Sequence, residues 1–233
     1  MVGYANDVID QYDSNSTLIA PQFIGLGTDG AMDLQSIKCP ESAYGNIFLM
    51  TLNGDGSTKK CYNWVRKRIS GTWHFGWVDN DDVGTFPAEG VTFEPGQAFW
   101  LQNNGAEGVN TFNTSGAVNQ QDVEFLLATD SDSAVCGNST PVSVDLQDLL
   151  CPNTAYGKIF LMTLNGDGST KKCYNWTRKR ISGTWHYGWV DNDDVGTFPA
   201  EGVSFKAGQG FWVQNNGTEA DANTLTIPGV ELN

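Results

Sequence analysis

The chain has 233 residues, with 27 Asp+Glu against 13 Lys+Arg and a formal net charge of −14. Each phosphate contact would work against that field, which argues against nucleic acid and anionic membrane surfaces as partners. The longest apolar run, Ile47-Phe48-Leu49-Met50, falls far short of the ~20 residues that cross a bilayer, which excludes insertion by a helix. With 12% aromatic residues, 27 Gly and 8 Pro, the composition fits short strands and turns around an apolar core, not a helix-rich enzyme or a disordered chain.

The start, Met1-Val2-Gly3-Tyr4, lacks the basic residues and apolar stretch of a secretory leader, so a secreted reading takes the signal peptide as already removed. Residues 3–9 are a candidate for a strand that adds to a neighbour's open sheet edge, and residues 223–230 are another. A short helical turn is expected at residues 33–37, where Asp33 can accept hydrogen bonds from exposed amides while Leu34 and Ile37 face inward. Residues 46–52 and 59–65 read as two strands of a hairpin joined by Asn53-Gly54-Asp55-Gly56-Ser57-Thr58. Residues 73–78 form a further strand after a turn at Ser70-Gly71. Residues 91–93 and 97–102 predict one more hairpin around Glu94-Pro95-Gly96.

All of this recurs. Residues 39–105 return as residues 151–217 at an offset of 112, and ten of the 67 positions differ. The differences are mild, for example Phe75 for Tyr187, Pro95 for Ala207 and Ala98 for Gly210. The spacing predicts an all-β protein of two tandem antiparallel sandwich-like or barrel-like modules, residues 1–117 and 118–233, related by internal duplication. The polar stretch 114–122 joins them. The module starts match poorly, and Cys136 is expected near the position of Ile24.

The segment Pro95-Gly96-Gln97-Ala98-Phe99-Trp100-Leu101-Gln102-Asn103, together with Leu18-Ile19-Ala20, resembles a class of secreted bacterial β-modules with a Pro-Gly-x-x-Phe-Trp-x-x-Asn closing hairpin. The second copy departs from it, with Ala207-Gly208 in place of Pro-Gly. The resemblance implies an extracellular, repeated domain with no shared set of catalytic residues.

Four residue sets carry candidate chemistry. Trp73 and Trp77 lie four apart, so on a regular strand both point to one face. With His74, and with Trp185, His186 and Trp189 in the second copy, they would form a sugar-stacking platform if exposed, and the module core if not. Asp79, Asp81 and Asp82, with Asp191, Asp193 and Asp194, offer clustered oxygens for calcium, the one cofactor the sequence suggests, or else a solvated acidic turn. Arg66-Lys67-Arg68 and Arg178-Lys179-Arg180 hold nearly half the basic residues and suit head-to-tail assembly with acidic faces of a neighbour, or else are solvated strand ends.

The fourth set is Cys39 with Cys61 and Cys151 with Cys173. Each pair could form a disulfide worth about 3 kcal/mol by the chain-entropy argument, or remain as buried thiols. No Gly-x-Ser-x-Gly, His-Glu-x-x-His or phosphate-loop motif is present. The expectation is a non-enzymatic, extracellular structural or adhesive protein that self-assembles, with a bivalent glycan-binding protein as the alternative.

Overall fold

The structure is a computed structural model that describes residues 2–9, 16–27, 29–105, 110–127, 132–218 and 223–231. Among these residues it is all-β, with antiparallel strands, short 3-10 turns and no α-helix. The first half contains β1 (Val2–Ile9), β2 (Ser16–Ile19), β3 (Met32–Asp33), β4 (Ile47–Leu52), β5 (Thr58–Ile69), β6 (Thr72–Asp79), β7 (Thr92–Phe93), β8 (Phe99–Asn103) and β9 (Asn110–Ala117). The second half contains β10 (Val123–Leu127), β11 (Asp132–Gly137), β12 (Val144–Asp145), β13 (Ile159–Leu164), β14 (Thr170–Ile181), β15 (Thr184–Asp191), β16 (Ser204–Phe205), β17 (Gly210–Asn215) and β18 (Asn223–Ile227). A five-stranded sheet in the order β2-β8-β4-β5-β6 is matched by one in the order β11-β17-β13-β14-β15.

Strict alternation decides which face of each sheet is buried. In β4 and β8, Ile47, Leu49, Phe99 and Leu101 are inward and at 0% exposure, whereas Phe48, Met50, Trp100 and Gln102 are half-buried on the outer face. Over the inner face close β3 with β7, β9, and the 3-10 turn Leu34–Ser36, contributing Met32, Phe93, Phe112 and Leu34 to one hydrophobic cluster. Asp33 caps that turn, as expected from sequence, by accepting from Gln35 N at 2.7 Å.

Gln35 then does something the sequence did not announce. Its amide accepts from Trp77 N at 3.0 Å and donates to Trp77 O at 3.1 Å and Ala88 O at 3.0 Å. The side chain stands where another strand would pair and closes the inner part of the β6 edge. Gln147 does the same for Trp189 and Ala200. Gln35→Ala is expected to cost about 1–3 kcal/mol, because buried backbone groups lose their partners. It should also speed hydrogen exchange at the Trp77 amide. Wild-type protection in the variant would contradict the edge-closing role.

Two expectations are corrected here. Residues 91–93 and 97–102 do not pair with each other, because β7 pairs with β3 and β8 lies between β2 and β4. The chain changes sheet at the Glu94–Gln97 turn, so Phe93 and Phe99 meet with centroids 4.9 Å apart instead of flanking a ladder. Cys136 is the counterpart of Ile19, not Ile24: it pairs with Phe211 as Ile19 pairs with Phe99.

The halves touch through β2 and β11. Ile19 bridges to Gln209 and Cys136 to Gln97, so each edge strand reaches the equivalent turn of the other half. Ala20 N donates to Gly208 O and Gly137 N to Gly96 O, both at 2.9 Å. This reciprocity gives the junction an approximate two-fold relation. The suggested donor segments have partners within the chain, β1 with β9 and β18 with β10.

Candidate functional site

β5 and β6 run on past the core as a hairpin arm. The two-residue turn Ser70-Gly71 has positive φ at both positions, 49° and 88°, the geometry that matches the right-handed twist of the flanking strands. From Arg66 to His74 every residue is exposed. The register places Arg66 opposite Phe75, Lys67 opposite His74 and Arg68 opposite Trp73, so Arg66 and Arg68 share one face of the arm with Trp73 while Lys67 and His74 share the other. Paired residues share a face. The Arg66 guanidinium lies 3.9 Å from the Tyr44 ring centroid and 4.6 Å from that of Trp73, a cation held between two aromatic rings. The second arm repeats this, with Arg178 at 3.8 Å from Tyr156 and 4.3 Å from Trp185.

Trp73 and Trp77 do share a face, but not a role. Trp73 is 50% exposed and Trp77 is at 0%. Trp77 lies over the core, edge-on to Trp64 at 5.4 Å, with Nε1 donating to Ile37 O at 2.7 Å. Trp189 repeats this against Trp176 and Leu149 O. The two-indole sugar platform is therefore not assembled, because four strand residues carry the face from the core edge to the protruding arm. Only Trp73 and His74, with Trp185 and His186, remain at the surface.

The acidic loops turn toward lysine. Lys60 Nζ lies 3.1 Å from Asp79 and 2.9 Å from Asp81, and Lys172 lies 3.0 Å from Asp191 and 2.8 Å from Asp193. Asp79 Oδ1 accepts from Asp81 N, and Asp82 accepts from the Thr85 hydroxyl. Asp194 takes Thr197 in the same way. The backbone hydrogen bond from Asp81, followed by Lys60, holds the Asp79 carboxyl below the usual carboxylate range. Among the described residues no group of three or more His, Cys, Asp or Glu is placed to hold a metal ion. The oxygens of these loops are engaged by an ammonium group and by their own turns.

The disulfide expectation is also corrected, since Cys39, Cys61, Cys151 and Cys173 are free thiols. Cys39 belongs to the inner cluster, whereas Cys61 alternates with the inward Tyr62 and Trp64 and so faces the other side of the sheet. There its sulfur accepts from Asn80 Nδ2 at 3.2 Å. Cys151 and Cys173 repeat the separation. Burial pushes the Cys39, Cys136 and Cys151 thiols up, which disfavours the thiolate and its chemistry.

A further surface was missed from sequence. The outer faces of the two five-stranded sheets border a cleft of about 620 Å³, lined from both halves by Met50, Trp100 and Asp55 and by Met162, Trp212 and Asp167. The signal was legible in principle: Trp100 alternates with the inward Phe99 and Leu101, so a large indole had to face outward. No known protein family, curated protein or solved structure matches the chain.

Proposed function

We propose that the chain is a non-enzymatic extracellular structural protein, built of two β-modules related by duplication, that self-associates through its two basic hairpin arms. The observation that carries this reading is the arm itself. Each arm carries three cations, two arginines on the face of an exposed tryptophan and a lysine on the opposite face, on a chain whose net charge is −14, so the complementary acidic surface is supplied by another copy. Two like arms on one chain permit each copy to engage more than one neighbour, the requirement for a growing assembly. The resemblance of the Pro95–Asn103 segment to secreted bacterial β-modules supports the extracellular setting.

The test is light scattering over rising protein concentration. Growth into large particles at low salt, reversed at about 0.5 M salt where the screening length falls to a few ångströms, is the expected result. Replacing Arg66, Lys67, Arg68, Arg178, Lys179 and Arg180 with serine should abolish that growth while leaving the circular dichroism spectrum intact. A monomer of 25.3 kDa at every concentration overturns the reading.

A further inference from the structure

The cleft between the halves differs from the arms in both chemistry and setting. Its floor carries Trp100 and Met50 from one sheet and Trp212 and Met162 from the other, all half-buried. Large apolar side chains on a sheet's outer face, bordering an open cleft, need an occupant that covers them. The cleft is preformed. Gly56 and Gly168 turn at φ +85° and +84°, and a Cβ at Gly56 would come within 3.1 Å of the Trp212 ring. A side chain there would press on the indole, so the bare glycine lets the turn of one half lie against the tryptophan of the other.

The polar lining restricts what can enter. Asp55 and Asp167 stand at the rim, each fixed by its Ser neighbour through backbone and hydroxyl hydrogen bonds to Oδ1. No Lys, Arg or His is among the described residues lining the cleft. Two carboxylates with no cation beside them repel anionic ligands. They leave acceptors for hydroxyl donors, while the indoles offer flat apolar faces.

We propose that this cleft binds an uncharged oligosaccharide, with the apolar faces of sugar rings on Trp100 and Trp212 and hydroxyl groups donating to Asp55 and Asp167. Rings and hydroxyls recur along such a chain, so a ligand lying across the junction meets the same chemistry from each half. The volume is in the range of small-ligand sites. This inference does not depend on assembly through the arms.

The test is calorimetric titration of the full chain with cellopentaose, chitopentaose, mannopentaose and laminaripentaose, with an oligogalacturonate as the anionic control. Saturable binding of at least one neutral probe and none of the oligogalacturonate is expected. Trp100→Ala and Trp212→Ala should each weaken binding about tenfold, Trp100→Phe should retain much of it, and Trp73→Ala should leave it unchanged. Thermal melts of the same variants identify any loss that is merely unfolding. The proposal is overturned if no neutral probe binds, or if binding survives both alanine substitutions in folded protein. It is equally overturned if Trp100→Ala abolishes concentration-dependent particle growth with no sugar binding in the parent, since the cleft would then seat the arm of a second copy.

Discussion

Trp77→Ala is expected to lower the stability of the first half by about 3–5 kcal/mol, the range for truncating a large buried aromatic side chain. Trp77 is fully buried and in edge contact with Trp64. Its removal leaves a cavity and strips the Ile37 carbonyl of its indole donor. Trp73→Ala, four residues away on the same face, should cost under about 1 kcal/mol because the side chain is half in solvent and its main partner is a surface guanidinium. Urea unfolding of both variants, followed by far-ultraviolet circular dichroism, measures the difference. Equal effects would mean that the core does not end between these two residues. Trp189→Ala should act on the second half in the same way, because its contacts repeat those of Trp77.

Gly210→Val is the second large effect expected, at about 1–3 kcal/mol, the usual cost of overpacking a filled site. A Cβ at Gly210 would lie 2.7 Å from the carbonyl carbon and the Cβ of Leu18 and 2.9 Å from its carbonyl oxygen. Backbone cannot swing aside as a flexible side chain does, so the strain falls on the contact between β17 and β2. Hydrogen exchange reads this locally. The Ala20 and Gly137 amides, which donate across the junction, should exchange faster in the variant, while amides within the β4–β5 ladder keep their protection. Unchanged exchange at Ala20 and Gly137 would show that the junction absorbs the added volume. Gly137, whose Cβ would meet Ala20 Cβ at 2.7 Å, marks the same close approach from the other side.

The difference between positions 98 and 210 gains a physical sense from this junction. Ala98 and Gly210 are among the ten differences between the repeated segments, and both lie where one half meets the other. Ala98 is buried and donates to Val135 O, whereas Gly210 packs on Leu18. Gly210 faces the larger Leu18 where Ala98 faces Val135, so these equivalent contacts differ in side-chain size, whereas the arms and inner clusters repeat their surroundings.

The β4–β5 hairpin, the arm turn at Ser70-Gly71 and the capped 3-10 turn at Asp33 were legible in the sequence because each is set by local chemistry: alternation, positive φ and a short-range hydrogen bond. Their recurrence at a fixed offset was likewise plain. The sides taken by Cys39 and Cys61 were only half legible. Alternation sets Cys61 opposite Tyr62 and Trp64, but the position of Cys39 depends on how the 3-10 turn packs across the sheet.

By itself, then, the sequence determined the strand-rich class, the repeated hairpins and the acidic surface with its two basic triplets. Only the tertiary structure decided which tryptophans are core, that Gln35 closes a sheet edge, that the Asp loops serve Lys60 and Lys172, and that Trp100 and Trp212 border one cleft. The physical reason is distance along the chain. Periodicity reports which residues share a face, but the extent of the core over that face, and what meets its far side, is fixed by contacts between segments tens of residues apart.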